Sequence, residues 1–330
     1  MDDNHTVAYV LNYNEETGAA NGIFTSNCGE IALEGKDGEL CNLVETFPSK
    51  HESYEDYEKT CKVAYIYAKT VTLVPTHNQR INQVINRNRR IGISQSGVIE
   101  SFQKHGRRGH FNWCDKAYKY LRKLDKEYSR NWLGVPTSIK ITTIKPSGTV
   151  SLLPGVTPGV HYAHSEYYYR TIRVDKTSPL IKPLRKAGHR IEESVYGDNT
   201  LVVYFPVHEE NFDRSKTEVS IWEQLENVAQ LQNYWCDNQV SATVTFKPEE
   251  ADQIHKALEM YETRLKGVSF LPLTDHQYAQ APYQEIDKAE YEKAVAKLKP
   301  LVLVGDTHEA EEKFCTTDAC EIKQHGANSV

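Results

Sequence analysis

The sequence has no hydrophobic run that approaches the ~18 consecutive apolar residues of a membrane span. It also has no excess of basic residues, because 45 acidic and 39 basic side chains give a formal net charge of −6. The first absence argues against an integral membrane protein, and the second argues against a nucleic-acid scaffold. We therefore expect neither a membrane nor a nucleic acid among the partners of this chain.

The N-terminal residues lack the basic region and apolar run of a secretory signal, which predicts a cytoplasmic protein with reduced thiols. Cysteine is scarce as well: seven residues are too few for a disulfide scaffold, and an odd number cannot all pair within the chain. Catalytic or redox-cycling cysteines are the better explanation, with a buried and inert cysteine as the alternative at any one position. The length of 330 residues allows about two domains or one large α/β barrel.

Apolar residues at helical spacing predict four helices that form core faces, at residues 54–68 after Ser53 as the N-cap, 117–128, 221–228 and 251–265 after Pro248. Short β-rich runs lie between and before them, at residues 6–11, 138–144, 200–207, 241–246 and 269–273. Strands that alternate with helices predict an α/β fold with a largely parallel sheet or barrel. In such folds the chemistry gathers at strand ends and on loops.

Cys28 stands two residues before Glu30, in the stretch Ser26-Asn27-Cys28-Gly29-Glu30-Ile31. A thiol suits radical chemistry because its S–H bond is weak enough to give a radical that can take hydrogen from a sugar carbon. If Gly29 turns both side chains into one small space, the carboxylate becomes a base for a hydroxyl beside the attacked carbon. The tripeptide alone is a weak signal, and a structural cysteine near a glutamate is the commoner arrangement.

Further motifs follow in order along the chain: Cys41-Asn42-Leu43, Asn88-Arg89-Arg90-Ile91-Gly92, Lys145-Pro146-Ser147-Gly148-Thr149-Val150, Thr157-Pro158-Gly159-Val160-His161, Asn233-Tyr234-Trp235-Cys236-Asp237-Asn238, Leu271-Pro272 with Asp275-His276, Gln280-Ala281-Pro282-Tyr283 and Cys315-Thr316-Thr317-Asp318-Ala319-Cys320. With the stretch around Cys28 they resemble the ribonucleotide reductase large subunit, and most closely its adenosylcobalamin-dependent class II. The resemblance spans residues 28 to about 325 and covers only the C-terminal half of that family's catalytic chain. It implies the C-terminal half of the reductase α/β barrel at residues 28–302, followed by a flexible redox tail at residues 303–330.

The resemblance implies that the chain reduces ribonucleoside triphosphates to 2′-deoxyribonucleotides by thiyl-radical chemistry. Cys28 is then the cysteine that takes the 3′-hydrogen, Glu30 is the base on the 3′-hydroxyl, and Cys41 is one of two thiols that reduce the 2′-carbon as water leaves. In the family the partner thiol lies in the N-terminal half, which we expect as a protein partner. The remaining cysteines of the body are predicted to be buried, because they lie on a helical core stripe or beside Trp and apolar residues, at Cys61, Cys114 and Cys236.

Residues Pro146, Ser147, Gly148 and Thr149 follow a β-rich run and precede a possible helix start. Backbone N–H groups and hydroxyls in such a loop are able to cradle phosphate oxygens. The family binds the substrate's phosphates here, so the resemblance implies the same role for these four residues. The motif by itself is also compatible with an ordinary turn between a strand and a helix.

Cys315 and Cys320 stand in an acidic, polar segment that predicts a flexible tail. A tethered dithiol suits the reduction of a disulfide inside a barrel that thioredoxin or a similar reductant cannot enter. A metal site is the alternative, but His308 and His325 are the main further ligands nearby, and we expect no metal. The class II resemblance implies adenosylcobalamin as cofactor, although no residue of this chain is identified as binding it.

The residues before Cys28 depart from the family, which has an Asn-Pro pair where this chain has Ser26 and Asn27. Residues 21–27 resemble the C-terminal end of an intein, where a short apolar strand leads to a terminal Asn and a nucleophile follows. The Asn27 amide would attack its own carbonyl, and the Cys28 thiol would accept the upstream protein as a thioester. Residues 1–27 are therefore predicted to be an intein remnant, with an unrelated extension as the alternative.

Three functional hypotheses follow from these patterns. The first is a partial class II ribonucleoside-triphosphate reductase that needs its N-terminal half. The second is a fragment of a class I ribonucleoside-diphosphate reductase large subunit, against which the four-residue spacing between Cys315 and Cys320 argues. The third is a splicing-precursor fragment without activity of its own.

Overall fold

The structure is a computed structural model that describes residues 30–35, 38–273 and 279–303, together with the backbone of three short strands nearer the N-terminus. The α-helices of this part are α1 Tyr54–Val71, α2 Gln79–Asn88, α3 Val98–His105, α4 Arg107–Glu127, α5 Ile181–Ala187, α6 Ile221–Tyr234, α7 Ile254–Tyr261 and α8 Lys288–Val295. The strands are β1 Ala8–Tyr9, β2 Tyr13–Asn14, β3 Ala19–Ala20, β4 Leu43–Thr46, β5 Gly92–Gln95, β6 Tyr167–Asp175, β7 Arg190–Glu193, β8 Thr200–His208, β9 Thr243–Phe246, β10 Val268–Pro272 and β11 Tyr283–Glu285.

The described residues form two compact units. The first unit holds those up to Tyr162 together with Val219–Leu273, and the second holds Ala163–Glu218 together with residues 279–303. No helix in either unit is long and apolar enough to cross a membrane, as far as the described residues go.

Parallel pairing organises the first unit. β4 pairs in parallel with β5, Ile93 of β5 bridges Thr142, Ile144 bridges Val240, and β9 pairs in parallel with β10. The order across the sheet is therefore β4, β5, residues 141–144, the stretch from Val240 into β9, and β10, with β1 antiparallel to the outer edge of β10. Parallel neighbours need crossover connections, which the helices between them provide. The predicted α/β fold with a largely parallel sheet is confirmed for this unit.

The helices of the first unit pack their apolar stripes on this sheet, and α1 shows how closely the sequence pattern predicts it. Ser53 caps the helix by accepting the N–H of Asp56 at 3.2 Å, and Tyr57 and Cys61 on the predicted stripe are fully buried. The predicted helix at residues 251–265 differs from the structure, because it begins as a 3-10 helix at Pro248–Gln253 and becomes α-helical only at α7. The core stripe accordingly starts at Ile254, and Ala251 is exposed.

A buried ion pair joins α1 and α4 to the start of a strand segment. The Lys69 ammonium lies 3.1 Å from Oδ1 of Asp125, and both side chains are at most 1% exposed. Lys69 also donates to the Pro136 carbonyl and the Ser138 hydroxyl, while Asp125 accepts the Ser138 N–H at 2.9 Å and the Tyr65 hydroxyl at 2.8 Å. Burial lowers the pKa of Lys69, and the Asp125 charge opposes that shift. Both charges are thus compensated inside the core.

The second unit is built on an antiparallel sheet in the order β11, β6, β8, β7. β6 and β8 pair along nine residues, from Tyr167 opposite His208 to Asp175 opposite Thr200. Its core contains Val174, Ile181, Leu184, Leu201 and Val203. Only β8 was predicted from sequence in this unit, and the antiparallel arrangement was not predicted.

Replacing Asp125 with Ala is expected to lower the free energy of unfolding by about 3–5 kcal/mol, because it leaves the Lys69 charge buried and uncompensated. Asp115 provides a matched control on the same helix, since it pairs with Lys119 at 2.6 Å on the surface and its side chain is 41% exposed. Asp115→Ala is expected to cost less than about 1 kcal/mol. Urea unfolding of both variants measures the difference, and equal losses would contradict the central role of the buried pair.

Candidate active site

Glu30 lies on the parallel sheet of the first unit. Its carbonyl oxygen accepts the N–H of Gln239 at 3.0 Å and the hydroxyl of Thr143 at 2.9 Å, so residue 30 is bound to two neighbouring strand segments. The residue is 6% exposed, and Oε2 of its carboxyl group is buried without a hydrogen-bond partner among the described residues. A buried carboxyl oxygen without a partner is costly, which makes this atom a candidate for bonding a ligand hydroxyl.

Gly92 explains how the chain after Glu30 approaches the sheet so closely. A Cβ atom at Gly92 would lie 2.5 Å from Cδ2 of Leu43, 2.9 Å from Cγ2 of Thr143 and 3.0 Å from Cδ1 of Ile31. Such distances leave no room for a side chain, and glycine is the residue that permits this approach. The glycine that ends the Asn88–Gly92 motif therefore has a packing role beside Ile31.

Glu45 is a second carboxylate near Glu30, and it lies on β4. Its Oε1 atom accepts the hydroxyls of Ser96 at 2.6 Å and Ser94 at 3.1 Å. Burial raises the pKa of Glu45 to about 7, against the two serine hydrogen bonds and the positive charge of Lys145, which lower it. The negative charge of Glu30 adds to the upward shift. The site thus contains a buried carboxylate, Glu30, and a half-buried one, Glu45, whose charges interact.

The predicted phosphate loop follows residues 141–144. Ser147 and Gly148 are buried and Thr149 is exposed. The N–H of Ser147 donates to the Lys145 carbonyl at 2.9 Å and that of Gly148 to the Pro146 carbonyl at 3.1 Å. In the part of the chain that the structure describes, Thr149 is the one residue of the four whose N–H has no partner. The loop opens a 3-10 helix of three residues, Val150–Leu152, and no longer helix.

The motif that ends at Asn238 has a structural function. The Asp237 carboxylate accepts the N–H groups of Ile141 and Thr142, each at 2.9 Å, and the Asn238 amide donates to the Ile91 carbonyl at 2.9 Å. These bonds replace ladder hydrogen bonds where a strand segment is short. The motif therefore holds the middle of the sheet in register.

The described cysteines divide into one that is accessible and three that are not. Cys41 is exposed just before β4, whereas Cys61, Cys114 and Cys236 are buried, which confirms the burial predicted for these three. Burial raises the pKa of Cys61 to about 12 and also raises the pKa values of Cys114 and Cys236. Three thiols are thus held protonated and inert.

Four predicted site residues lie outside the described residues, namely Asn27, Cys28, Cys315 and Cys320. Sequence reasoning in turn missed three residues of the site, Glu45, Ser94 and Ser96. The signal that marks them is the position of polar residues at the carboxyl ends of two short strands, next to a motif already singled out. No group of three or more His, Cys, Asp or Glu side chains that could hold a metal ion occurs within the described ranges.

Comparison with known proteins gives consistent relatives, although no family model matches the chain. The chain is 47% identical over 311 residues to a probable adenosylcobalamin-dependent ribonucleoside-triphosphate reductase of Dictyostelium discoideum, covering 92% of this chain and 41% of the relative. It is 44% identical over 303 residues to the adenosylcobalamin-dependent ribonucleoside-triphosphate reductase of Euglena gracilis, and this match covers 89% of this chain and 41% of the relative. The chain thus spans about two-fifths of the length of these curated relatives.

Solved structures match most of the chain. A B-12-dependent, class II ribonucleotide reductase superposes with a TM-score of 0.70 at 35% identity, covering 82% of this chain and 42% of that one. The alpha subunit of a class Id ribonucleotide reductase from Actinobacillus ureae superposes with a TM-score of 0.53 at 17% identity, and the match covers 75% of this chain and 52% of that subunit. At this identity the match shows only that the fold is shared. The α/β fold predicted from the motifs is therefore confirmed over the matched region.

Alkylation of the folded chain at pH 8 is expected to modify Cys41 and to spare Cys61, Cys114 and Cys236. At that pH the thiolate fraction of Cys61 is on the order of 10⁻⁴, and its side chain is also closed to the reagent. Peptide mass spectrometry with iodoacetamide, before and after unfolding in urea, provides the measurement and its control. Modification of Cys61 at the rate of Cys41 in the folded chain would refute this assignment.

Proposed function

We propose that this chain supplies the C-terminal part of the catalytic site of an adenosylcobalamin-dependent ribonucleoside-triphosphate reductase. The premise is its similarity, over about nine-tenths of its length, to part of such reductases. Residues 28–302 would form this part of the barrel and residues 303–330 its redox tail. The matched region is about two-fifths of each relative, and a segment that corresponds to the remaining part of these relatives would supply the N-terminal half of the site.

The buried carboxyl group of Glu30 is the observation that carries this proposal. It stands two residues after Cys28, it is bound through its carbonyl to two parallel strand segments, and its Oε2 lacks a partner among the described residues. A ribose 3′-hydroxyl that donates to Oε2 would satisfy this oxygen. The same oxygen would then be in place to take the hydroxyl proton when the neighbouring carbon becomes a radical.

The proposed reaction uses three residues of this chain. Cys28, as a thiyl radical, takes the 3′-hydrogen and becomes a thiol, and Glu30 takes the proton of the 3′-hydroxyl. The 2′-hydroxyl then leaves as water, and Cys41 with a thiol of the N-terminal half supplies two electrons and two protons and becomes a disulfide. The 3′-hydrogen finally returns from Cys28 to the sugar, which restores the thiyl radical, and the proton on Glu30 returns to the 3′-oxygen, which restores the carboxylate.

Adenosylcobalamin is proposed as cofactor because the relatives are named as dependent on it. When bound, it supplies a radical by homolysis of its cobalt–carbon bond. The cobalt is carried by the corrin ring, so the lack of a three-ligand metal site among the described residues is compatible with this cofactor. For the generation of the radical, this chain would contribute Cys28, whose thiol would become the thiyl radical.

The remaining roles belong to the loop and the tail. Pro146, Ser147, Gly148 and Thr149 are proposed to bind the triphosphate, with the free N–H of Thr149 and the half-buried Lys145 as donors. Cys315 and Cys320 would reduce the disulfide at Cys41 and then be reduced by thioredoxin or a similar protein of the cytoplasm. A class I reductase is the second candidate, but the class II structure matches at 35% identity against 17% for the class Id subunit, which favours class II.

Residues 1–27 are proposed to be the end of an intein, whose removal would join Cys28 to the upstream half. Supplied with the complementary N-terminal intein segment, the chain is expected to lose these 27 residues, and intact-mass spectrometry measures the loss. Asn27→Ala should abolish the loss because the cyclising amide is gone, whereas Asn21→Ala should not. An unchanged mass for the unsubstituted chain would favour an unrelated extension.

Assembled with the N-terminal part of the Dictyostelium discoideum relative, the chain is expected to reduce ribonucleoside triphosphates only with adenosylcobalamin and a dithiol. Cys28→Ala should abolish deoxyribonucleotide formation, and Glu30→Gln should lower kcat by on the order of 10²-fold because the base is lost. Glu34→Gln is the matched control, since Glu34 lies four residues further on and its side chain is 42% exposed. Chromatographic assay of the product decides, and undiminished activity of Cys28→Ala would overturn the proposal.

A further inference from the structure

Two serine hydroxyls connect the Glu45 carboxylate to two distant backbone amides. Ser94 Oγ accepts the N–H of Lys145 at 2.8 Å, and Ser96 Oγ accepts the N–H of Gly159 at 2.9 Å. Each serine oxygen accepts a hydrogen bond from a backbone N–H. The single proton of each hydroxyl therefore remains available to donate a second hydrogen bond. Both protons go to the same atom, Oε1 of Glu45, at 3.1 and 2.6 Å.

The two amides mark the ends of one loop. Residues 145–159 begin with the predicted phosphate-binding residues and return to the sheet at Gly159, where φ is +53°. A Cβ atom on Gly159 would lie 2.9 Å from the carbonyl oxygen of Lys145, so the two ends of the loop touch. The N–H of Gly97, the residue before α3, also donates to the Thr157 carbonyl at 2.8 Å, which adds a further bond to the returning end.

We propose that Glu45 is a positioning residue that holds both ends of the loop 145–159 through Ser94 and Ser96 and so presents residues 146–149 to the substrate's phosphates. This inference rests on the proposed function for the identity of the ligand, but the anchoring of the loop is independent of it. The carboxylate does not itself contact the phosphates in this arrangement, and its role is exerted through the two serines.

The surroundings of Glu45, and above all its removal from water, make the anchoring dependent on pH. Lys145 and Glu30 are the charged groups that act on it, and burial raises its pKa from 4.5 to about 7. The folded state therefore favours the neutral acid, and its advantage is fully present below pH 4.5 and is lost as the pH rises through about 7. If opening of the loop hydrates Glu45, opening becomes easier over the same range.

The test compares Glu45→Ala with Glu45→Gln and with each serine replaced by Ala. Hydrogen exchange in the 330-residue chain, resolved at single amides, should accelerate at both Lys145 and Gly159 in Glu45→Ala, by on the order of tenfold. Ser94→Ala should accelerate Lys145 alone and Ser96→Ala should accelerate Gly159 alone. Glu45→Gln keeps an oxygen acceptor for the two serines, so both amides should remain protected. Because the glutamine does not ionise, this protection should not decrease between pH 6 and pH 8, as it should in the unsubstituted chain. The serine variants test whether the two hydroxyls hold these amides, and if Glu45→Ala fails to fold, the pH dependence of exchange in Glu45→Gln decides whether Glu45 acts through them.

A matched control separates anchoring from general loosening of the sheet. Glu39 is a buried carboxylate just before β4 and accepts the Nε–H of Arg90 at 3.1 Å, but it has no bond to either serine among the described contacts. Glu39→Gln is expected to leave the amides of Lys145 and Gly159 as protected as in the unsubstituted chain. Equal acceleration in Glu39→Gln, or none in the two serine variants, would overturn the anchoring.

Steady-state kinetics of the assembled enzyme test the role toward the phosphates. Glu45→Ala should raise KM for the ribonucleoside triphosphate by on the order of tenfold with a smaller change in kcat, and Glu45→Gln should restore KM. Loss of kcat in Glu45→Gln with KM unchanged would contradict a positioning role. If the assembled enzyme reduces no nucleotide at all, the proposed function fails, and the exchange data alone decide whether Glu45 anchors the loop.

Discussion

Parallel pairing of five strand segments is the constraint on which the rest of the first unit depends. Because neighbouring segments run in the same direction, their carboxyl ends meet at one edge of the sheet, and each connection must cross over through a helix or a loop. This brings Glu45, Ser96 and Lys145 together from parts of the sequence about 50 residues apart. The same sheet supports Glu30 through its carbonyl, so both carboxylates of the candidate site depend on one arrangement of strands.

Three carboxylates add side-chain bonds to the backbone bonds of residues 138–145, the segment that leads into the predicted phosphate loop. Asp125 accepts the N–H of Ser138, Asp237 accepts those of Ile141 and Thr142, and Glu45 holds Lys145 through a serine. The bonds from amides to the Asp125 and Asp237 carboxylates are charge-assisted and stronger than those between neutral groups, whereas the amide of Lys145 bonds the neutral hydroxyl of Ser94. Side chains and neighbouring backbone thus share the amides of this segment, and the side chains take those of Ser138, Ile141, Thr142 and Lys145.

Local patterns predicted four of the eight α-helices in the described residues and the burial of three thiols. The stripe of α1 and its Ser53 cap are short-range features, and they appear as the spacing indicates. β4 and β5 escaped prediction because each has four residues, and β5 is buried at every position and therefore shows no alternation. The antiparallel sheet of the second unit was missed because its strands β6 and β8 pair over long sequence separations that no local period reveals.

The sequence by itself determined which residue types are available for chemistry, namely a Cys and a Glu two residues apart, a thiol before a short strand and a Ser-Gly loop after another. Order and spacing of motifs were enough to indicate the family resemblance, because they survive in a linear string. Only the tertiary structure decided that Glu30 is buried with an unsatisfied oxygen and that Glu45 reaches two loop ends through two serines. Burial and hydrogen-bond partners depend on contacts between residues far apart in the chain, and these exist only once parallel strands have been paired.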